Sequence, residues 1–208
     1  MDTRPPWEAI HPFLTEPRLR IIAATILYYR AKKKACRCPE DGPWNIGCDC
    51  YQWARYGIRQ ASEGKHKEWL RVLTKPEDMA FLFLIGGPGG VAAKFYREDS
   101  PGQPARTLKV SDLEEELREE TLPFLEPLPP EQAIRFAVVE ENGLESVKLV
   151  QLDQAEDKVI YAWPIEAAVL ALDDEQLEQG VELGEPPVEL PEDQASRAQE
   201  QKDKEKGA

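Results

Sequence analysis

Apolar residues recur every three to four positions between residues 19 and 29, and this spacing predicts an amphipathic helix over residues 15–34. A second segment with helical spacing begins near Asp49, a residue type that caps helices well, and Gly64 suits its end. A third, shorter helix is predicted over residues 65–73. The first third of the chain is therefore expected to be mainly helical.

The later segments have a different periodicity. Residues 79–85 are apolar on all sides, so a buried helix and a buried strand are both allowed, and the glycine-rich run at 86–90 should form a turn after them. Apolar and polar residues alternate in three stretches, which predicts strands at residues 134–140, 144–152 and 158–162. Asn142 and Gly143 between the first two are a strong hairpin signal, so an antiparallel meander is expected. A helix over residues 164–172 should close this unit.

The chain of 208 residues is long enough for one ordinary domain or two small ones. Its patterns predict an α+β fold in three parts. Residues 1–97 would form a basic, mainly helical unit with a four-cysteine loop, and residues 98–180 an acidic α+β unit that contains the meander. Residues 181–208 would form an acidic, disordered tail, because they carry too little apolar surface to offset the entropy of ordering them.

Charge is distributed unevenly along the chain. The formal net charge is −13, yet residues 18–75 hold thirteen basic and only five acidic residues, whereas residues 98–208 hold ten basic and 29 acidic ones. An acidic protein is a poor candidate for coating nucleic acid or membranes with its whole surface, although a basic face can bind locally. The division suggests two units with different partners, or an acidic unit that screens a basic one.

Four cysteines, Cys36, Cys38, Cys48 and Cys50, form two Cys-x-Cys pairs separated by nine residues. Two such pairs can converge on one tetrahedral ion, and the loop between them has little apolar material to order it otherwise. We therefore predict a structural zinc site with four thiolate ligands. The alternatives are disulfides joining Cys36 to Cys50 and Cys38 to Cys48, an iron–sulfur cluster, or free thiols.

Basic residues of the first unit are interleaved with aromatic ones, a combination typical of surfaces that contact phosphates and stack on bases. The candidate nucleic-acid contacts within residues 18–75 are Lys32, Lys33, Lys34, Arg37, Trp44, Trp53, Arg55, Arg59, Lys65 and Lys67. A competing interpretation places the rings in the core and explains the three lysines by the favourable interaction of cations with a helix C-terminus. A protein would then be the partner in place of nucleic acid.

No catalytic arrangement of residues stands out. His11 and His66 are not placed near a nucleophile and an acid in a recognisable order, and both are expected at the surface. The glycine run at 86–90 lacks the Gly-Lys-Ser/Thr end of a phosphate-binding loop. The acidic run at residues 114–116 is expected to form the solvated face of a helix. We therefore expect a protein without enzymatic activity.

The N-terminal residues contain no apolar core of signal-peptide length, and the longest apolar run is too short to span a bilayer. These features predict a cytoplasmic protein that does not enter a membrane. The function that fits best is a non-enzymatic binding or regulatory protein with a structural zinc site, which contacts nucleic acid, a nucleoprotein or another protein through its basic aromatic unit. The alternatives are a structural component of a virus particle or multisubunit complex, and an iron–sulfur redox protein. The oligomeric state is left open.

Overall fold

The computed structural model describes an α+β fold in which a helical layer packs against one face of a six-stranded sheet. The described residues are 6–74, 81–87, 89–98, 114, 132–153 and 158–167. The acidic tail predicted from residue 181 lies outside these ranges. No helix within them is long and apolar enough to cross a membrane.

The first helices confirm the helical periodicity near the N-terminus. A short helix, α1, spans Pro6–Ile10, and α2 spans Glu16–Ala35, which is within one residue of the predicted bounds at each end. Pro17 occupies the first turn of α2, where a missing N–H removes no helical hydrogen bond. Three lysines form its last turn, where the helix dipole favours cations.

Helix α3 begins six residues before its predicted start. It spans Pro43–Glu63, and its C-cap is Gly64, as the sequence indicates. The first turns of α3 contain several weak helix formers, so the sequence pattern does not predict a helix there. Pro43 is nevertheless well tolerated, because it occupies the first helical position. As a result Cys48 and Cys50 lie in a helix and not in a loop.

Within the described residues the sheet has six strands in the order β1 to β6, and every neighbouring pair is antiparallel except β3 and β4. The strands span Leu70–Val72, Phe83–Ile85, Val91–Arg97, Gln132–Glu141, Leu144–Asp153 and Lys158–Ile165. A parallel pair needs a long crossover connection, and residues 98–131 between β3 and β4 are long enough to provide one.

The helix predicted over residues 65–73 is wrong. Turns follow α3 directly, and β1 then pairs Leu70 with Ile85 of β2. A pattern this short does not separate helix from strand, and the buried strand pairing decides between them. The same pairing decides between helix and strand for the segment before the glycine run, where Phe83–Ile85 form β2.

The glycine run joins β2 to β3 as a turn between two buried strands, as predicted. The N–H of Gly90 donates to the carbonyl oxygen of Gly87 across 2.9 Å. Gly86 has a φ of 105°, and a Cβ at this position would lie 2.6 Å from Cγ of Phe13. Residue 86 therefore has to be glycine both for its backbone conformation and for this close approach.

Strands β4, β5 and β6 form the predicted antiparallel meander. Asn142 and Gly143 have φ values of 54° and 79°, the two positive angles that this type of two-residue hairpin turn requires. The helix predicted over residues 164–172 is wrong where the structure describes it, because β6 continues to Ile165. Pro164 is tolerated since β6, among the described strands, pairs only with β5 and is an edge strand.

One hydrophobic core lies between the helices and the sheet, and it takes buried residues from α2, α3 and all six strands. The sheet therefore crosses the boundary predicted between residues 97 and 98, where Arg97 of β3 pairs with Val138 of β4. Described residues on the two sides of that boundary contribute to this core. Pairing between distant segments leaves no mark on local composition, which is why the charge division suggested a boundary here.

Candidate functional site

The four cysteines lie where α2 ends and α3 begins. Cys36 is the C-cap of α2, and Cys38 lies in the loop over residues 36–42 that joins the two helices. Both thiols are exposed, and so is that of Cys48. All four sulfurs are free, so neither of the two disulfides considered above is present. We call residues 36–48 the helical-hairpin end.

Cys50, by contrast, is buried between the two helices. Its Sγ lies 3.7 Å from the carbonyl oxygen of Arg30, and burial raises the pKa of its thiol. Neighbouring residues of an α-helix are rotated by about 100°, so residues two apart point to nearly opposite sides. Cys48 is accordingly exposed while Cys50 is buried, and one ion could bind both only if this turn of α3 unwound.

The loop between the helices is held by its own hydrogen bonds. The N–H of Cys36 donates to the carbonyl oxygen of Lys33 at 3.0 Å, and the N–H of Cys38 donates to Oδ2 of Asp41 at 2.9 Å. Within the described residues, no group of three or more His, Cys, Asp or Glu side chains is placed to hold a metal ion. The zinc site with four thiolates from one chain therefore stays a prediction.

Trp44 lies on a helix face whose later residues pack on the sheet. Positions 44, 48, 51 and 55 fall on one side of α3, because they are spaced by four, three and four residues. The ring of Tyr51 lies 4.8 Å from that of Phe95 in β3. Trp44, about two turns earlier, is 79% exposed. At the first turns of α3, the same helix face is therefore exposed to solvent.

Two of the three lysines that end α2 are bound by carboxylates of the same chain. Lys33 Nζ lies 3.0 Å from Oδ2 of Asp49 in α3. Lys34 Nζ lies 2.9 Å from Glu145 and 3.3 Å from Glu140, which flank the β4–β5 hairpin turn. Both ammonium groups already have anionic partners, so a phosphate would have to compete with these carboxylates.

Two candidate arginines are also used within the fold. Arg55 is 5% exposed because its side of α3 faces the sheet, and its guanidinium carbon lies 5.2 Å from the centre of the Phe81 ring. Arg59 donates a hydrogen bond of 2.8 Å to the carbonyl oxygen of Thr74. Trp53 is half-buried. The side chain of Arg55 therefore lies within the fold and not at the surface.

The four remaining candidate cations fall into two groups. Lys32 and Arg37 are exposed beside the loop between the helices, whereas Lys65 and Lys67 are exposed just after the far end of α3. The 21 residues of α3 give it a length of about 30 Å, and this length separates the two groups. The predicted nucleic-acid contacts are therefore not brought together in one basic surface.

A buried ion pair joins α2 to β5, and no sequence pattern indicates it. Arg30 is 2% exposed and donates two N–H groups to the carboxylate of Glu145, at 2.6 and 3.1 Å. Burial alone would raise the pKa of Glu145, but hydrogen bonds and charges from Arg30 and Lys34 outweigh it and hold this pKa below its ordinary value of 4.5. The cluster ties the C-terminal half of α2 to the β4–β5 hairpin.

Replacing Glu145 with Gln should make the free energy of unfolding change less with pH in the acid range. A carboxylate with a lowered folded pKa stabilises the fold above its unfolded pKa, and this contribution is lost as the pH falls through the folded value. The wild-type chain should therefore have the larger free energy of unfolding at neutral pH, and the difference should shrink below pH 4.5. Urea unfolding at a series of pH values measures it. A difference that stays constant down to about pH 3 would contradict this role for Glu145.

A second buried charge cluster lies on the sheet face opposite the helices, where Arg135 alternates with the core residues Ile134 and Phe136. Arg135 is fully buried, and its two terminal nitrogens lie 2.7 and 3.2 Å from the carboxylate of Glu114, which is 1% exposed. Lys94 Nζ lies 2.6 Å from the same carboxylate. The prediction that Glu114 belongs to a solvated face is wrong, because two cations compensate the loss of hydration.

His11, expected at the surface, is 4% exposed. Its Nδ1 accepts a hydrogen bond of 3.3 Å from the N–H of Phe13, and burial lowers its pKa. His66 is half-buried beside Trp69, with ring centres 5.2 Å apart, and burial together with the charge of Lys65 lowers its pKa. Both histidines therefore have contacts within the fold.

The helical-hairpin end combines an exposed indole ring, three exposed thiols and an exposed arginine, with Lys32 one turn before it. Groups of these types bind macromolecular surfaces or soft metal ions. Comparisons with protein families, with curated proteins and with solved structures gave no match to this chain. What the site does therefore has to follow from the chemistry of these groups.

Proposed function

We propose that this chain is a non-enzymatic binding protein that contacts another protein through the helical-hairpin end. The observation that carries the proposal is Trp44, which is 79% exposed on a helix face that elsewhere packs on the sheet. Tryptophan buries about 150–250 Å² when it is covered, and it is among the residues that contribute most to protein interfaces. Its attachment to a helix lowers the entropy lost when a partner covers it.

The distribution of cations favours a protein partner over nucleic acid. Affinity for nucleic acid comes mainly from several cations that neutralise neighbouring phosphates. Of the eight candidate cations, two are bound by carboxylates, one is buried and one donates to a backbone carbonyl. The other four are divided between the two ends of α3, so two stay exposed near Trp44. Two cations offer too few phosphate contacts to drive binding.

The state of the buried carboxylates supports a binding role over a catalytic one. Glu114 and Glu145 are each bound by two cations of the chain. A catalytic acid or base has to reach a proton of the substrate, whereas these groups are held in ion clusters that stabilise the fold.

Photocrosslinking at position 44 tests the proposal. A photoreactive phenylalanine derivative replaces Trp44 in the full chain, and light should then join this position to a partner protein that mass spectrometry identifies. The matched control carries the same residue at Leu144, which is 76% exposed at the β4–β5 hairpin. We expect protein adducts from position 44 that position 144 does not give.

Two results would contradict this expectation. If nucleases digest the adducts, the partner at position 44 is nucleic acid and not a protein. If positions 44 and 144 give equal amounts of adduct, the helical-hairpin end has no specific role in binding. A Trp44→Ala chain should have the same urea midpoint of unfolding as the wild type, because the ring is exposed. A loss of partner binding in the Trp44→Ala chain would therefore not be caused by unfolding.

A further inference from the structure

Two of the four thiols lie at the surface of the same loop. Cys36 and Cys38 are exposed, two residues apart, in the same loop. Their backbone N–H groups donate to Lys33 and Asp41, and these bonds order the loop without the sulfur atoms. Both sulfurs are therefore free to act as ligands while the loop keeps its conformation.

The other two thiols of the chain do not complete this pair. Cys50 is fully buried against the backbone of Arg30. Cys48 is exposed, but it lies on the face of α3 that continues toward Tyr51 and the sheet. Within the described part of the chain, no three potential ligands converge. One chain thus offers two thiolates from one loop.

A structural zinc site requires four ligands in a tetrahedral arrangement. Two copies related by a twofold axis through the ion would each supply the same pair of thiolates. We propose that one zinc ion joins two copies of this chain through Cys36 and Cys38 of each. This inference rests on the proposed function, because it identifies a second copy as the protein that covers Trp44.

Neighbouring side chains suit such a shared site. Four thiolates around Zn²⁺ carry a net charge of about −2, and Arg37, between the two cysteines, supplies one cation from each copy. Lys33 lies in the last turn of α2 before the loop, where Asp49 is its ion-pair partner at 3.0 Å. Trp44 lies in the first turn of α3 just after the loop and is exposed, so a second copy that meets the loop can cover its ring.

Sedimentation and zinc analysis of the full chain test the proposal. After reduction and removal of metal by a chelator, the mass should be that of one chain, 23.6 kDa, and added zinc should double it with one ion bound per two chains. Replacing Cys36 and Cys38 together with Ser should abolish zinc binding and doubling. The matched control, Cys48→Ser, changes another exposed thiol and should retain both. Metal-free wild type and the double variant should have the same urea midpoint, which shows that the variant folds.

Three results would overturn the shared site. One zinc ion per monomeric chain, lost when any of the four cysteines is replaced, would support the four-thiolate site within one chain. If the variant with both Cys36→Ser and Cys38→Ser still doubles its mass, a metal ion bound to these thiols does not mediate the contact. A mass of one chain with zinc present would exclude the second copy as the partner. That last failure leaves the proposed function standing if position 44 still crosslinks to a different protein.

Discussion

Replacing Glu114 with Gln should lower the free energy of unfolding by about 3–5 kcal/mol, the usual effect of removing one partner from a buried ion pair. Its carboxylate binds Arg135 at 2.7 and 3.2 Å and Lys94 at 2.6 Å. Lys94 and Arg135 are register partners on neighbouring strands, so the carboxylate separates two like charges that would otherwise repel each other. Gln keeps the shape of the side chain and removes the charge.

Urea unfolding followed by circular dichroism measures this loss, and Glu141→Gln is its control. Glu141 lies 3.6 Å from Lys148 in an exposed pair, and such pairs contribute at most about 1 kcal/mol. Adding Lys94→Met to Glu114→Gln should recover part of the loss, because it removes one of the two cations. Equal losses for Glu114→Gln and Glu141→Gln would contradict the importance of the cluster.

The cluster shows what a local pattern does not reveal. Glu114 is one of three consecutive glutamates, and nothing in that run distinguishes it from its neighbours. Its partner Arg135 is 21 positions away, and Lys94 lies on a different strand. Burial of a carboxylate depends on cations that the fold brings to it, so the sequence alone favours the solvated interpretation.

Elements that depend on local patterns were predictable. Helix α2 follows from apolar spacing, and the meander follows from alternation together with the Asn142-Gly143 turn. Elements that depend on distant partners were not. The three-residue strand β1 exists because it pairs with β2, and β3 lies beside β4 although 34 residues separate them.

The candidate site was predictable in position but not in geometry. The sequence places Cys36, Cys38, Cys48 and Cys50 near one another, and the structure does bring all four to the junction of α2 and α3. Because α3 begins at Pro43, the last two thiols point to opposite sides of a helix. The helix start decides which cysteines can share an ion, and weak helix formers at that start conceal it.

Two glycines of α3 should respond to the same substitution in opposite directions. Gly57→Ala should lower the free energy of unfolding by about 1–3 kcal/mol, the usual effect of overpacking a core. A Cβ at position 57 would lie 2.8 Å from Cγ of Tyr29, whose ring is buried against α3. The ring has to move, and it also packs edge-on against Tyr56 with centres 5.8 Å apart.

Gly47→Ala is the matched comparison, because it places the same methyl group in the same helix. A Cβ at position 47 would meet no atom within 4 Å. Alanine is favoured over glycine inside a helix by about 0.5–1 kcal/mol, so this variant should be more stable than the wild type. Urea unfolding of the two variants measures both effects, and a loss of stability in Gly47→Ala would show that the first turns of α3 are not helical in solution.

The contact with Tyr29 can be separated from the intrinsic preference by a double-mutant cycle. In a Tyr29→Ala chain, whose ring is gone, Gly57→Ala should no longer destabilise and should recover the helical advantage of alanine. The two substitutions should therefore be strongly coupled, while Gly47→Ala and Tyr29→Ala should be additive. If Gly57→Ala lowers the free energy of unfolding equally in the wild-type and Tyr29→Ala chains, contact with the Tyr29 ring is not the cause of the loss.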